Sequence, residues 1–532
     1  MQVETTYVLI VGGGPVGMTA ALELAHQGAP AILITENIDT ARHPKCNLTN
    51  ARSMEHFRRL GLSQMLRSTG LPPELPRESA YVTRFCGHEF GRLPRPLMLF
   101  PTPELPNFIS QIRLEEQLRG ECERRGLDLR FGCRLVSFEE RDGCVEAVVE
   151  DVASGERRVI RASYMIAADG AASATRKALG LEMRGEGGDE QRAFMGGTML
   201  SFYIEAPDLL DASGRRPAQM TWIINRDMRA MMYAQDARTR WVVHFQVPPD
   251  VDWREVDAES TIRDMLGSGV DFRIISGGPW RGGLALVADT YRVGRVFLAG
   301  DAAHLFTPLG GFGMNTGIGD VMNIGWKLAA VHQGWGGDAL LDSYDEERRP
   351  IGLRNKQIGV HCSRIMDRWV LPDALEADGP EGDAARATFG EQVVREDRVQ
   401  YYTVGLQLGE RYASRIVAPD GEPIPPDDWE KVWPDAFPGA RAPHALLEGE
   451  PLMDRFGKGF TLLAHGAGSA AVTIAAQARD LGVPLTLVSL DDEAAQHYPR
   501  KLTLVRPDHH IAWHGDEPGD ATRALERATG RA

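Results

Sequence analysis

The segment Tyr7-Val-Leu-Ile-Val11, followed at once by Gly12-Gly-Gly14-Pro15-Val-Gly17, constrains this chain more than any other. The apolar run reads as a buried strand, and Met18 to Gln27 as a helix. The glycines between them hold the positions of a G-x-G-x-x-G turn. Gly12 permits the tight turn, Gly14 lets a pyrophosphate reach the backbone, and Gly17 lets helix and strand pack closely. Pro15 shares that turn. A second apolar run, Ala31-Ile-Leu-Ile34, leads to Glu36, 19 residues past Gly17. That is close to the ~20 at which such folds place a ribose-binding carboxylate. A surface charge at a strand end is the competing reading of Glu36.

A second glycine-bearing turn lies far along the chain. Val296-Phe-Leu298 reads as a buried strand that runs into Gly300-Asp301-Ala-Ala-His304 and then Pro308-Leu-Gly-Gly-Phe-Gly-Met-Asn315. Gly310, Gly311 and Gly313 make a loop that can approach a ligand closely. A helix follows, with Ile318, Met322 and Ala329 at helical spacing, Asn315 and Thr316 as caps, and Lys327, His332 and Gly334 at its end. Free N–H groups and the positive dipole end at its start stabilise negative charge in front of the loop.

Between these turns lie further candidates. Arg52 stands near the start of a helix, where the dipole disfavours a cation, so an anion partner is expected. Gln111 opens a helical run with Leu114 and Leu118. Tyr164-Met-Ile-Ala-Ala-Asp169-Gly170 reads as a strand, with Ser173, Thr175 and Arg176 beginning the next helix. Asp169 and Arg176 can equally be a structural turn and a solvated charge, and Gln111 an ordinary helix-start residue. Short alternating segments from Leu127 to Ile160 read as a β-meander with turns at Gly143 and Gly155. Residues 190 to 285 read as antiparallel strands whose Trp222, Met231, Tyr233 and Phe245 are candidates to line an aromatic pocket, with ordinary sheet core the competing and, for any one of them, the stronger reading. His244 reads as a satisfied sheet residue. From Asp345 to about Val370 a helix is expected, with Arg348, Arg349 and Arg354 on a solvated face.

The two glycine-bearing turns and the Ala51-Arg52-Ser-Met-Glu55 and Asp169-Gly170…Ser173…Arg176 motifs resemble those of FAD-dependent aromatic-ring hydroxylases. These are the single-component flavoprotein monooxygenases related to para-hydroxybenzoate hydroxylase and phenol hydroxylase. The resemblance spans nearly the whole chain. It implies an α/β fold: a Rossmann-like FAD-binding domain, an inserted mostly antiparallel β substrate domain and a C-terminal thioredoxin-like domain. It also implies cofactor contacts by Gly12, Gly14, Pro15, Gly17, Glu36, Arg52, Gln111, Asp169, Arg176, Asp301, Gly311, Gly313, Met314 and Asn315, with Arg52 on the pyrophosphate. Asn47, Pro308 and Tyr233 are the implied catalytic positions. Asn47 falls where phenol hydroxylase has an aspartate, and an amide cannot serve as a base at neutral pH. Either another group deprotonates the substrate, or Asn47 orients it, or it is a plain loop residue.

The implied reaction is hydroxylation of a small phenolic ring, as in phenol degradation, with NAD(P)H as co-substrate and O2 activated as a flavin C4a-hydroperoxide. A larger polycyclic or polyketide-like substrate is the alternative, and a non-catalytic flavin-binding protein a third reading. Domain boundaries are expected at 1–185 (FAD-binding, with a substrate-domain excursion near 71–110), 186–285 (substrate sheet), 286–400 (FAD-binding, second part) and 401–532 (linker and thioredoxin-like domain).

Composition is consistent with this. A formal charge of −15 argues against a nucleic-acid surface. No apolar run is long enough for a membrane span, and the N-terminus carries no signal-peptide pattern. The six cysteines show no C-x-x-C spacing, so a reducing cytoplasm and no thiol–disulfide chemistry are expected. No metal site is expected. A structural or homodimer-interface role is the default for the C-terminal module.

Overall fold

A computed structural model of the protein describes residues 3–186, 197–236, 238–248, 250–267 and 269–531. Residues 187–196, at the start of the expected substrate sheet, lie outside that description.

The first sheet is mainly parallel. Strand Val3–Val11 sits between Ala31–Thr35 and Arg157–Ala167, and Val296–Leu298 adds beyond the last of these. Val11 is level with Ile34 on one side and Ala167 on the other, and Ala167 with Leu298. Four chain segments therefore leave the sheet at one edge: Gly12, Glu36, Ala168–Asp169 and Ala299–Gly300. In a parallel α/β sheet, the crevice at the carboxyl ends of the strands is where ligands bind. The meander Cys133–Arg141 and Cys144–Asp151 continues the sheet antiparallel from Arg157–Ala167.

Glycines set how closely the helices pack behind this edge. A Cβ on Gly17 would lie 1.9 Å from the Gly12 carbonyl oxygen, so only glycine lets the helix Pro15–Gln27 rise beside its strand. A Cβ on Gly325 would lie 2.5 Å from Cγ of Glu23, which brings the helix Gly313–His332 against the first helix.

The second sheet has seven strands, in the order Arg273–Gly282, Gly197–Glu205, Arg240–Gln246, Arg229–Ala234, Met220–Ile224, Glu78–Val82 and Glu89–Pro94. One face packs with Leu309 and Phe312 of the second glycine loop and with Ile358 and Met366 of the helix Asp338–Asp367. The other face carries Leu200, Ile204, Met232, Val243 and Phe245.

The C-terminal sheet runs Leu485–Ser489, Phe460–Ala464, Leu502–Val505, Ile511–Gly515, with the third strand antiparallel to its neighbours. This is the β-α-β then β-β-α order of a thioredoxin-like domain. That domain contains no cysteine, and the six cysteines of the chain, Cys46 to Cys362, are unpaired. Among the described residues, no helix is long and apolar enough to cross a membrane, and no group of His, Cys, Asp and Glu could hold a metal ion.

Four expectations are corrected. Arg348 is fully buried rather than solvated, and ion-pairs with Asp320 and Glu410; Arg354 is largely buried against Asp427. Lys327, placed at a helix end for its charge, is buried against Glu347. Residues 372–392, whose Glu, Asp, Gly and Ala content suggests a loop or weak helix, run into the regular helix Pro380–Asp397. The helix expected to be capped by Asn315 and Thr316 begins earlier, at Gly313, and no side chain caps it.

Glu347 joins the flavin-side helices to the C-terminal module. It accepts from Arg506 at 2.6 and 2.9 Å, from Lys327 at 2.7 Å and from Asn323 at 2.7 Å. Burial alone would raise its carboxyl pKa, but Arg506 and Lys327 override that and hold it down to about 2. Glu55 is likewise held at about 2, burial being overcome by Arg441 and then Arg52. Both groups have folded pKa values below the unfolded one, so their contribution is complete above about pH 4.5 and is lost as pH falls toward 2. Glu347→Gln should cost about 3 kcal/mol, because two buried cations lose a charged partner. Urea denaturation of variant and parent at pH 7 and pH 3.5 checks both points: the gap should be wide at pH 7 and narrower at pH 3.5.

Candidate active site

Gly12 adopts φ 118°, and a Cβ there would lie 2.1 Å from the Ala168 carbonyl oxygen. The first strand therefore turns hard against the strand carrying Asp169. Gly14 precedes the helix at Pro15, with no side chain capping it and nothing within 4 Å of where its Cβ would stand. The open side of Gly14 and the free first-turn amides make a cradle for an anion. Glu36 stands exposed just beyond Thr35 at the same sheet edge.

Beside this cradle, against Val16 of the same helix, Gly300 (φ 61°) turns the chain beneath the helix Gly313–His332. Asp320 fixes that turn. It accepts from the Gly300 amide at 3.1 Å, from His304 Nε2 at 2.9 Å and from Arg348 Nε at 2.9 Å. Burial opposes ionisation of Asp320, but His304 and Arg348 prevail and lower its pKa. His304 therefore faces inward, stacked on Phe306 at 4.7 Å between ring centroids. Its neighbour Asp301 faces out into the cleft and is solvent-exposed, with protein walls around it. Restricted hydration there raises its carboxyl pKa, against the opposing charges of His304 and Lys45.

Pro308 is exposed, while Leu309 and Phe312 on either side of the glycines are buried. Gly310 and Gly311 take φ 79° and 72°. The loop ends at Gly313, whose hypothetical Cβ lies 3.9 Å from Asp301 Oδ1, so the carboxylate and the uncapped helix start share one wall. Asn315 tethers this wall to the loop at Leu48: its Oδ1 accepts from the Asn50 amide at 2.8 Å, and its Nδ2 donates to Leu48 O at 3.0 Å and Gly311 O at 2.7 Å. Met314 Sδ lies 3.4 Å from Cys46 Sγ.

Several expected cofactor contacts are engaged with protein groups. Asp169 accepts from Ser173 Oγ at 2.6 Å and from the Thr175 amide at 3.0 Å. Arg176 donates to Ala302 O and Ala171 O, both at 3.1 Å, lacing the Gly170 and Gly300 turns together. Gln111 bonds Glu115 at 2.6 Å, and its backbone amide holds Cys46 O at 3.0 Å. Arg52 is buried, donating to Glu55 at 2.9 Å and to Asp508 O at 2.7 Å. Its anion partner within the chain is Glu55.

The substrate side is the inner face of the seven-stranded sheet. Tyr233 OH lies 2.7 Å from His244 Nε2. Burial raises the Tyr233 pKa, with Cys46 adding to it, and burial lowers that of His244 to about 3. Phe245, expected in the pocket, points to the opposite face and stacks on Phe202 at 5.9 Å. Strand alternation decides this, since His244 and Phe245 are adjacent. His43 was missed from sequence; its ring nitrogens lie 2.7 Å from Ser201 Oγ and 2.9 Å from Ser276 Oγ, joining the loop before Asn47 to the sheet.

The open cradle at Gly14, the exposed carboxylate of Asp301 and the uncapped helix start beside it fit an extended dinucleotide whose far end carries a charge-accepting ring. The seven-stranded sheet next to them is mostly antiparallel, with one parallel pair between Glu78–Val82 and Met220–Ile224. The family description "FAD binding domain" matches residues 5–357, and "Aromatic-ring hydroxylase, C-terminal" matches residues 435–532. The chain is 32% identical over 543 residues to 4-methyl-5-nitrocatechol 5-monooxygenase of a Burkholderia species, covering 95% of this chain and 93% of that one. It is 31% identical to a putative polyketide hydroxylase of Streptomyces halstedii, with 96% and 93% covered. The structure of the rebeccamycin biosynthetic enzyme RebC with reduced flavin superposes with a TM-score of 0.91 at 36% identity, over 100% of both chains. The chain belongs to the FAD-binding aromatic-ring hydroxylase family and is an FAD-dependent monooxygenase.

Asp301→Ala should weaken FAD binding by roughly ten- to a hundredfold, the worth of a charge-assisted hydrogen bond. Flavin absorbance of the purified variant after dialysis reads this out. Full retention of the yellow colour counts against a cofactor contact at Asp301.

Proposed function

We propose that this enzyme hydroxylates a phenolic aromatic ring with NAD(P)H as reductant and O2 as oxidant. The observation that carries the reading is the pairing of an uncapped helix start at Gly313 with a pocket face bearing Tyr233, His244 and Trp280. Bound FAD would supply the redox chemistry, namely hydride acceptance from NAD(P)H and transfer of one atom of O2 to the ring with the other leaving as water.

The residues of this chain do the rest. The Gly12–Gly17 turn and the Pro15 helix hold the pyrophosphate, and Glu36 the ribose. Asp301 accepts hydrogen bonds from the ribityl chain. The amides of Gly313, Met314 and Asn315 stabilise negative charge on the reduced ring. Pro308 and the glycines at 310 and 311 wall the reacting centre and limit water there. Asp169, Arg176 and Gln111 position these loops through the contacts described above, as does the Asn315 side chain.

Two substrate sizes are open to this chemistry. The nitrocatechol relative supports a single ring, and the polyketide hydroxylase relative a polyketide-like substrate. The several rings on the pocket face favour the larger, polyketide-like class.

Oxygen-dependent NADPH or NADH oxidation by the holoenzyme, screened with phenols and hydroxylated polycyclic aromatics, tests the proposal. A true substrate should stimulate oxidation at least about tenfold and yield hydroxylated product with little peroxide. If no aromatic compound stimulates oxidation beyond peroxide formation, the hydroxylase reading fails.

A further inference from the structure

The inner face of the seven-stranded sheet holds buried donors with nothing to donate to. Its central residues are Ser201, Met231, Tyr233, Val242, His244 and Trp280, and none is a carboxylate. Ser201 is level with His244 across one ladder and with Gly278 across the next. A Cβ on Gly278 would meet nothing within 4 Å, so the sheet is open there. Trp280 stands two residues further along, its ring 5.6 Å from that of His244 and edge-on to it.

The loop carrying Asn47 lies across this face. His43 bonds Ser201 and Ser276, and Cys46 is close enough to Tyr233 to act on its ionisation. Among the described residues, three buried nitrogens of this face and its loop have no hydrogen-bond partner: Asn47 Nδ2, Trp280 Nε1 and His244 Nδ1. The first two are donors by their chemistry. The Tyr233–His244 pair has two polar hydrogens and spends one internally, so either tautomer leaves one to donate. Of the carboxylates on the flavin-domain side, Glu115 is engaged by the Ala41 amide at 2.7 Å and by Gln111, and Asp301 lies on the cofactor wall.

Resting on the hydroxylase reading above, we propose that Asn47, Trp280 and the Tyr233–His244 pair form a donor-rich subsite that selects aromatic oxyanions and quinone-type carbonyls. A buried donor gains most from an acceptor that carries charge. Burial keeps the Tyr233 hydroxyl and the His244 ring neutral, so the pair meets an acceptor as a neutral donor. The preferred substrate therefore presents an ionised hydroxyl or a carbonyl conjugated to the ring. Hydroxyquinones and hydroxyaromatics with electron-withdrawing substituents meet that condition. A simple alkylphenol does not.

Equilibrium binding to the holoenzyme, read from perturbation of the flavin spectrum at pH 8, separates this from the broader reading. The probes are 4-nitrophenol, largely ionised at that pH, and its methyl ether. The parent enzyme should bind the nitrophenolate at least about tenfold tighter than the ether. Trp280→Phe and Asn47→Leu should each weaken the nitrophenolate by about tenfold, or about 1.4 kcal/mol, and change the ether by less than about twofold. Equal affinity for the two probes overturns the subsite, as does equal weakening of both by the variants or no measurable nitrophenolate binding. Flavin content and oxygen-dependent NAD(P)H oxidation, measured on the same preparations, report on the hydroxylase reading independently.

Discussion

The Asp320 carboxylate is the point on which the flavin side of this protein depends. It has no contact with water and three partners: the Gly300 amide, His304 and Arg348. A buried carboxylate in that position is tolerable only while its charge is matched and its lone pairs are filled. The consequence is geometric. Gly300 must turn where it does, His304 must face inward, and Asp301 between them must face the cleft. Arg348 carries the same constraint outward to Glu410 and to the Thr316 carbonyl, so two long helices are locked to one turn. The cofactor wall is thereby held in place from behind, by charges that never meet the cofactor.

On the opposite side of the cleft the physics is reversed. Around Tyr233 and His244 the sheet face has no ion pair among the described residues. It presents rings, a thioether and neutral donors, and burial keeps Tyr233 and His244 uncharged. On the proposed reaction, positive potential is concentrated at the helix start and the face around this pair is left neutral. Selection among aromatic substrates then falls to the few N–H groups in an otherwise apolar pocket, where an unmatched donor weighs more than any single ring contact.

Much of this was legible in the sequence, and what escaped follows a rule. The Gly12–Gly17 turn, the Gly300–Asn315 stretch and the thioredoxin-like strand order are local patterns, in which spacing and glycine content specify the backbone. Their meeting at one sheet edge follows from parallel pairing. The roles of charged side chains were the part that failed. Arg348 and Lys327 lie on helices whose composition reads as amphipathic, and a buried arginine looks like a solvated one until its carboxylate partners, 28 and 62 residues away in Asp320 and Glu410, are placed beside it. Arg52 illustrates the same gap: the dipole argument required an anion, and the structure supplies Glu55, one turn along the same helix. Phe245 failed for a different reason. Alternation along its strand is regular, but which parity faces the flavin is fixed by the neighbouring strands and the loop at Leu309, not by the strand itself.

The C-terminal module gains a physical role from these contacts without any thiol chemistry. Arg506 reaches Glu347, which also holds Lys327 in the body of the Gly313 helix, and Arg441 reaches Glu55 from the other side at 2.5 and 2.8 Å. Buried ion pairs of this kind add little net stability compared with apolar packing, because desolvation consumes most of the attraction. They are demanding about geometry, however, since a displaced partner leaves a bare charge in a dry interior. The module therefore acts on register more than on stability. It fixes the axial position of the helix whose first amides face the cofactor, and it fixes the helix Ala51–Arg59 that follows the Asn47 loop. A module that only shielded surface could be attached through apolar contacts alone. One that meets both walls of the cleft through buried, directional charge pairs couples the cofactor wall to the substrate loop, so that neither can shift without the other.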